Sequence, residues 1–361
     1  MMDTVNTEVV VVGGGVVGVA VARQFAMRGA QVILIEKESS LGSCTSARNS
    51  GVIHAGLYYT EYSLKEKLCL VGKELLYQYC ADKDIPHSAI GKWIVSAPGQ
   101  ESRLEEIYQR ALSNDVPISR LSAAEMRREA AELACSAALE STSTGIVDVQ
   151  QLVHSLSLDF EEAGGLVHCR ARATSLAVDG RKAILTIEDG TTIVADLAIN
   201  AAGLNALELL PDPMSPDLEN YYLKGSYFSY SGGVPFRRLV YPLPAAGGLG
   251  IHLTFDLSGA ATFGPNTEPV GAPEFSVAES DVHAFVNAIV HYWPNCDPSK
   301  LSPAYSGVRP QIIGRDGVVN DFIFWGKEID PKFPVLSLLG IDSPGLTCCL
   351  AIADQVFELA Q

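Results

Sequence analysis

The chain has 361 residues, enough for two domains with sizeable hydrophobic cores. It carries 26 Lys and Arg residues against 42 Asp and Glu residues, a formal net charge of −16, which argues against nucleic acid or an anionic membrane surface as a partner. Eight cysteines occur without a CxxC pair or a finger-like cluster. We therefore expect reduced thiols in a cytoplasm, with no disulfide framework and no metal site.

The N-terminal segment indicates a protein that is not exported. Residues 1–7 are too short and too polar for a secretory signal peptide. The apolar run that follows is broken by Gly13–Gly15 and is shorter than a membrane-spanning helix. We expect a cytoplasmic location without a transmembrane segment, with peripheral attachment to a membrane as the alternative.

The first predicted elements are a buried strand and a helix joined by a glycine turn. The β-branched run Val9–Val12 precedes Gly13, Gly15 and Gly18, and helix-like sequence follows over 19–29. This is the G-x-G-x-x-G spacing in the strand-to-helix context of a dinucleotide site. Gly13 allows the tight turn, Gly15 lets a pyrophosphate approach the backbone, and Gly18 lets the helix pack closely on the strand.

A second predicted strand ends in an acidic residue. The run Gln31–Ile35 leads into Glu36 and Lys37. Glu36 stands near the ~20-residue spacing expected for the acid that binds an adenosine ribose. A glycine turn alone also occurs without a ligand, but strand, turn, helix, strand and acid together favour a dinucleotide. They do not distinguish NAD from FAD.

The next segment, Gly42–Tyr59, is rich in small and hydrogen-bonding residues. Such a composition suits a loop that follows an extended cofactor closely. The cofactor-binding candidates in this loop are Ser46, Arg48, Asn49, Ser50 and Gly51.

The middle of the chain predicts two interleaved domains. Helical spacing of apolar residues predicts the helices Leu64–Tyr79, Glu101–Ser113, Val149–Ala163, Val282–Trp293 and Leu346–Leu359. Alternation or apolar runs predict the strands Lys92–Ser96, Leu166–Cys169, Ala183–Glu188, Thr192–Ile199 and Pro334–Leu339. We predict an α/β fold: a Rossmann-like nucleotide-binding domain (1–84, 140–219 and 298–361) interleaved with an antiparallel-sheet substrate domain (85–139 and 220–297). The ligand is expected at their interface.

Two later segments, like the first glycine turn, follow a predicted strand and could contact a dinucleotide. The sequence Asn200-Ala-Ala-Gly203 ends a predicted strand and offers Ala202 and Gly203 to a dinucleotide. Gly340–Thr347 joins a strand to the final helix, so the N–H groups of Gly345, Leu346 and Thr347 are candidates for contacts with a bound cofactor. A Pro-Gly turn before a helix is also common without a ligand.

A family resemblance selects FAD. The stretch Ser46–Tyr59 resembles the second fingerprint of FAD-dependent oxidoreductases of the D-amino-acid oxidase superfamily, and most closely the L-2-hydroxyglutarate dehydrogenases. Further segments in the same order extend this resemblance along the chain: 63–80, 145–148, 200–203, 250–254, 264–266, 306–310 and 340–347. It implies an FAD cofactor, with Gly307 and Arg309 beside it. The chain departs from that group in two places. It has Ser226 where Glu is usual, and it lacks a longer helical insert after residue 266. We therefore expect the segment that covers the substrate pocket to differ.

The resemblance also suggests the catalytic residues. A flavin takes hydride at N5, so the protein must orient a C–H bond and remove a proton from the neighbouring O–H or N–H. His54 and His252 are the candidate bases, with a slight preference for His252. Arg309 is the candidate clamp for the substrate carboxylate, because a planar guanidinium binds a carboxylate through two parallel hydrogen bonds. Lys224, for a second acidic group, and Tyr241 are the remaining candidates.

The predicted function is FAD-dependent oxidation of the α-carbon of a small 2-hydroxy acid, similar to 2-hydroxyglutarate. Oxidation of an amino acid or amine is the first alternative, because the same fold and carboxylate clamp serve both. A flavin-carrying electron-transfer subunit without its own substrate is the second. The expected partners are a small carboxylate and an electron acceptor, namely a quinone, an electron-transfer protein or oxygen.

Overall fold

The computed structural model of the chain describes residues 4–211, 217–243, 250–326 and 330–361. The helices in these ranges are α1 Val16–Met27, α2 Leu64–Asp82, α3 Glu101–Ser113, α4 Ala123–Glu129, α5 Val149–Glu162, α6 Val282–Ile289 and α7 Gly345–Leu359. The strands of the first half are β1 Thr4–Val12, β2 Val32–Ile35, β3 Val52–Ile53, β4 His87–Ser88, β5 Lys92–Ser96, β6 Ser119–Ser122, β7 Ala137–Ser141, β8 Gly145–Val147, β9 Leu166–His168 and β10 Ala173–Asp179. Those of the second half are β11 Lys182–Ile187, β12 Thr192–Asn200, β13 Glu219–Tyr230, β14 Leu239–Pro242, β15 Leu253–Phe255, β16 Ala261–Phe263, β17 Glu268–Val270, β18 Leu301–Gly314, β19 Gly317–Val319, β20 Ile323–Trp325 and β21 Val335–Leu339.

The first sheet is built around parallel strands. Its order is β10-β11-β12-β1-β2-β9, with β21 beside β12 and β20 beside β21. Strands β1, β2, β9, β12 and β21 pair in parallel, while β10, β11 and β20 form antiparallel additions. Helices α1, α2, α5 and α7 contribute to one hydrophobic core on this sheet. This is the Rossmann-like part of the predicted α/β fold, and the predicted fold class is confirmed.

The first strand shows why this sequence forms a central parallel strand. Val9 to Val12 are all buried, and a strand covered on both faces needs a continuous apolar run rather than alternation. Val12 pairs with Asn200 of β12 in parallel register. The carboxyl ends of these two strands therefore lie side by side, which brings the turns at Gly13 and Ala201 together.

The second sheet is largely antiparallel and carries the other side of the site. Its order is β19-β18-β13-β16-β15-β14-β5-β7-β6, with β17 on β13. A second hydrophobic core lies on it, in which Phe285 of α6 packs on Phe228 of β13 with ring centroids 4.4 Å apart. A small third sheet, β3-β8-β4, completes the described strands.

The predicted domain boundary at residue 298 does not follow the sheets. Strand β18 pairs with β13 from Leu301 to Ile313, and β19 extends the same edge. Residues 301–319 therefore belong largely to the second sheet, although the sequence prediction assigned them to the nucleotide-binding domain. The long pairing of β13 and β18 joins segments far apart in the chain, so no local pattern indicated it. The remaining boundaries stay a prediction.

Most predicted elements lie within a few residues of the observed ones. The helix α3 and the strand β5 have the predicted bounds, and α7 begins one residue earlier than predicted. The helix predicted over Val282–Trp293 ends at Ile289. Among the described residues, no helix combines the length and hydropathy needed to cross a membrane.

Candidate active site

A cavity of about 840 Å³ lies between the two large sheets. Gly13, Gly15 and Glu36 line it on the side of the first sheet, and His252 and Arg309 line it on the side of the second. The sequence candidates from both halves of the chain therefore meet in one space. The lining includes the N-terminal residues of both α1 and α7, as expected for a site that binds an extended ligand.

The glycine turn has the geometry that the motif predicts. Gly13 has φ +106°, and a Cβ placed there would lie 2.4 Å from the carbonyl oxygen of Ala201. A Cβ on Gly18 would lie 1.9 Å from the carbonyl oxygen of Gly13, so this glycine permits close packing of the helix on the turn. Of the described atoms, a Cβ on Gly15 would meet only the hydroxyl oxygen of Ser46, at 3.2 Å. Gly15 thus leaves open space on the cavity side, where a bulky group can approach the backbone.

The acid at the end of β2 is fixed beside this turn. One carboxylate oxygen of Glu36 accepts a hydrogen bond from the N–H of Gly14 at 2.6 Å, and the other accepts one from the N–H of Glu38 at 2.8 Å. Lys37 donates to the side-chain oxygen of Asn205 at 2.9 Å. Both predicted residues line the cavity. Backbone N–H groups fix Glu36, and the side chain of Asn205 fixes Lys37.

The loop after β2 closes over the start of α1. The N–H of Val16 donates to the Ser46 hydroxyl at 2.9 Å. Asn49 braces the loop from inside, because its amide donates to the carbonyl of Ser46 at 2.7 Å and its side-chain oxygen accepts from the N–H of Gly51 at 2.8 Å. Ser46, Asn49 and Ser50 line the cavity, whereas Gly51, at φ +62°, lies behind its wall.

Arg48 joins this loop to β18. Its guanidinium lies 4.7 Å from the ring centre of Phe275 and within 3.5 Å of the carbonyl oxygen of Ser306. A Cβ on Gly307 would lie 2.1 Å from the carbonyl oxygen of Arg48. The glycine is required because the two backbones touch here, which brings Arg309 toward the loop.

The two later segments also reach the cavity. Ala202, Gly203, Gly345 and Leu346 line it. The Thr347 hydroxyl instead accepts from the N–H of His54 at 3.0 Å and lies within 3.4 Å of the carbonyl of Val52. Thr347 therefore holds α7 against the loop rather than lining the space.

The two candidate bases lie in the same cavity and are neutral. Nε2 of His54 lies 3.2 Å from the hydroxyl oxygen of Ser343. Burial, reinforced by the nearby positive charge of Lys92, lowers the pKa of His54 to about 3. The ring of His252 stacks on that of Tyr241, with centroids 3.6 Å apart and planes inclined by 11°. Burial, with the charges of Lys92 and Arg309 and the neighbouring His54, also holds the pKa of His252 well below its usual value.

Arg309 presents an unpartnered nitrogen. Its Nη1 is buried and has no hydrogen-bond partner among the described residues. A buried guanidinium N–H without an acceptor costs free energy, so such a group in a cavity wall indicates an anionic ligand. The planar fork of donors suits a carboxylate.

Lys224 does not line the cavity, contrary to the prediction. Leu223 and Gly225, its neighbours on β13, line it instead. Side chains alternate along a strand, so Lys224 points to the other face. There its Nζ lies 3.1 Å from a carboxylate oxygen of Glu274 and 3.8 Å from one of Glu268, and these partners neutralise its charge.

Some cavity groups were not predicted as site residues. Ser343 lay in a segment already predicted to contact the flavin, but nothing in that segment indicated its contact with His54. Tyr58 and Tyr227 also line the cavity. Lys92 is buried behind the cavity wall. The only sequence signal for it was its own charge at the start of a largely apolar strand.

Comparison with known proteins identifies the family of the chain. The sequence profile of the family described as FAD dependent oxidoreductase matches residues 8–359. The mitochondrial L-2-hydroxyglutarate dehydrogenase of Arabidopsis thaliana is 34% identical over 399 residues, covering 97% of this chain and 83% of that protein. The corresponding Homo sapiens protein is 30% identical over 414 residues, covering 99% and 89%.

A solved structure has the same fold. The dithionite-reduced L-alpha-glycerophosphate oxidase from Mycoplasma pneumoniae with FAD bound superposes with a TM-score of 0.89 at 24% identity, covering 98% of this chain and 94% of that one. With the family profile covering nearly the whole sequence, the chain belongs to the FAD-dependent oxidoreductase family.

Proposed function

We propose that this enzyme oxidises the α-carbon of a small 2-hydroxy acid similar to 2-hydroxyglutarate. The observation that carries the proposal is the buried, unpartnered Nη1 of Arg309 in the wall of a cavity that also contains two neutral imidazoles. An anion-binding group and a proton acceptor are what oxidation of an α-hydroxy acid requires of the protein. The names of the Arabidopsis and human relatives support the same substrate class.

The residues of the first sheet fit FAD. The space at Gly15, the N–H groups at the start of α1 and the fixed carboxylate of Glu36 suit a pyrophosphate and an adenosine ribose. The remaining cavity-lining residues that we propose around the cofactor are Gly13, Lys37, Ser46, Arg48, Asn49, Ser50, Ala202, Gly203, Gly307, Arg309, Gly345 and Leu346. The other predicted residues, Gly18, Gly51 and Thr347, support this wall from behind. When bound, FAD supplies the hydride acceptor for the reaction.

The substrate is held and deprotonated by the protein's own groups. Arg309 binds the α-carboxylate in this account and orients the reacting carbon. His54, neutral and paired with Ser343, accepts the proton of the substrate hydroxyl, and His252 is the second candidate for that step. Burial keeps both imidazoles neutral but also weakens them as bases. In this account the negative charge of the bound substrate raises the pKa of the histidine that accepts the proton.

A substrate panel tests this function. Purified holoenzyme is assayed with an artificial dye acceptor on 2-hydroxy acids and on the matching amino acids. Oxidation of the hydroxy acids alone supports the proposal. Oxidation of the amino acids alone would replace it by an amine oxidase, and oxidation of neither would favour an electron-transfer subunit.

The acceptor and the location are separate proposals. A quinone, an electron-transfer protein or oxygen would reoxidise the reduced enzyme, and mixing it with each in turn tells them apart. We propose a cytoplasmic location, although the Arabidopsis and human relatives are named as mitochondrial proteins. Fractionation of the source cells tests it.

A further inference from the structure

Lys92 is a buried lysine whose side chain points toward the cavity. It is the first residue of β5 and is 1% exposed. Ile94, two residues on, lines the cavity, whereas Trp93 packs in the second hydrophobic core. Because side chains alternate along a strand, Lys92 points to the same side as Ile94. Its charge therefore lies directly behind the cavity wall.

The charge of Lys92 lacks a counterion among the described residues. Within the described ranges, no carboxylate forms an ion pair with its Nζ, and no hydrogen bond to Nζ is found. The ammonium instead lies 4.8 Å from the ring centre of Tyr58 and 4.5 Å from that of Tyr241. Cation–π contacts offset only part of the cost of burying an ammonium. Burial accordingly lowers the pKa of Lys92 to about 7.

The two tyrosines that flank Lys92 offer free donors to the cavity. Both line it, and neither hydroxyl has a hydrogen-bond partner in the part of the chain that the structure describes. Burial raises the pKa of both hydroxyls far above the usual value, so both remain protonated. Two phenol donors backed by an ammonium have the chemistry of a carboxylate site.

We propose that Tyr58, Tyr241 and Lys92 form a second carboxylate subsite, which binds the distal acid group of a dicarboxylate whose α-carboxylate is held by Arg309. The inference rests on the proposed function and assigns the second acid of its substrate. Lys224 cannot fill this role, because it is neutralised by Glu274 on the other face of the sheet. The other charged or titratable groups that face Lys92 are His54 and His252, both neutral, and the Cys69 thiol. The two neutral imidazoles do not compete with a substrate carboxylate for Lys92.

Calorimetric binding to the FAD-loaded protein tests the subsite without turnover. The probes are glutarate and pentanoate, which have the same carbon skeleton and differ by one carboxylate. We expect wild type to bind glutarate about tenfold or more tightly than pentanoate, on the scale of one charged hydrogen-bond pair. Lys92→Met should remove that preference while changing pentanoate affinity less than about twofold, and Lys92→Arg should retain part of it.

Three further variants make the result specific. Lys224→Met removes another buried lysine and should leave the preference intact. Tyr58→Phe and Tyr241→Phe remove only a hydroxyl, so they remain informative if Lys92→Met does not fold. Each should lower the glutarate preference roughly 3- to 10-fold. An unchanged preference in both, or equal losses for the two probes in Lys92→Met, would overturn the subsite.

The outcome separates this inference from the proposed function. If wild type prefers glutarate but oxidises no hydroxy acid, the subsite stands and the function fails. If wild type oxidises 2-hydroxyglutarate and 2-hydroxypentanoate with equal efficiency and binds the two probes equally, the function stands and the subsite is refuted.

Discussion

The hydroxyl of Ser343 lies 3.2 Å from Nε2 of His54, although the two residues are 289 positions apart in the chain. The contact joins the loop before α7 to the loop after β3, and both loops line the cavity. Thr347 strengthens the same junction by accepting a hydrogen bond from the N–H of His54. His54 is therefore held at both its backbone and its ring, as a residue that transfers a proton in a defined direction must be.

This arrangement predicts that His54 matters most for proton removal. Replacing it by Gln should slow anaerobic flavin reduction about 10²-fold or more, the usual contribution of a general base. Ser343→Ala should slow it only roughly 3- to 10-fold, because one neutral hydrogen bond is lost. The rates are measured by stopped-flow absorbance at saturating substrate.

The same measurement on His252→Gln separates the two histidines. If only the His252 variant is slow, the roles are reversed and His252 is the base. If neither variant is slow, histidine has no part in the mechanism.

Cofactor binding should depend on the space at Gly15. Gly15→Val should abolish FAD retention, because its side chain would occupy the space next to Ser46 where the pyrophosphate approaches. Gly233→Val is the control, since a Cβ there has no neighbour within 4 Å in the described part of the chain. The measured quantity is the ratio of flavin to protein absorbance after purification. A yellow Gly15 variant would show that the cofactor lies elsewhere.

Arg309 should contribute strongly to catalysis and Lys224 should not. Arg309→Met should lower kcat/KM by a factor that corresponds to a loss of about 2–5 kcal/mol of transition-state stabilisation. The reason is that the substrate carboxylate loses the guanidinium that holds the reacting carbon in position. Lys224→Met should leave kcat/KM on dicarboxylates and monocarboxylates unchanged, because its side chain points to the other face of the sheet. Steady-state kinetics on both classes test the pair. A selective loss of activity on dicarboxylates in the Lys224 variant would contradict the observed strand register.

The lowered histidine pKa values predict how stability depends on pH. Burial lowers the pKa of His54 from 6.5 to about 3, so below pH 6.5 the unfolded chain takes up a proton that the folded protein does not. The free energy of unfolding should therefore fall as the pH drops from 6.5 toward 3. His54→Gln should show a shallower fall over this window, and His252→Gln should act in the same direction.

Urea unfolding of FAD-loaded protein at pH 7.5 and at pH 5 checks this expectation. The decisive quantity is the difference between the free energies of unfolding at these two pH values, measured for wild type and for each variant. An identical difference in wild type and in the two histidine variants would show that neither imidazole is held neutral by the fold.

Local patterns predicted the local geometry on the side of the first sheet, whereas the contacts of these residues with a cofactor stay a prediction. The turn Gly13–Gly18, the acid at Glu36 and the start of α7 are specified by residues close together in sequence, because each needs a particular backbone conformation or strand end. The observed φ of +106° at Gly13 and the bond from Gly14 to Glu36 agree with that reading.

The substrate side was harder to predict because it depends on long-range strand register. A shift of one residue moves every side chain of a strand to the opposite face, so the composition of β13 could not show that Lys224 points away from the cavity and Gly225 toward it. The pairing of β13 with β18 is set by segments about 80 residues apart. Lys92 was overlooked because its strand was identified from the apolar residues around it.

The central claim is that this enzyme oxidises a small 2-hydroxy acid through its own bound flavin. The most direct measurement is anaerobic mixing of the purified holoenzyme with L-2-hydroxyglutarate while the visible flavin absorbance is followed. We predict loss of the flavin absorbance in wild type and a rate strongly reduced in Arg309→Met. A flavin that stays oxidised with this and related hydroxy acids, but is reduced by amino acids, would contradict the claim.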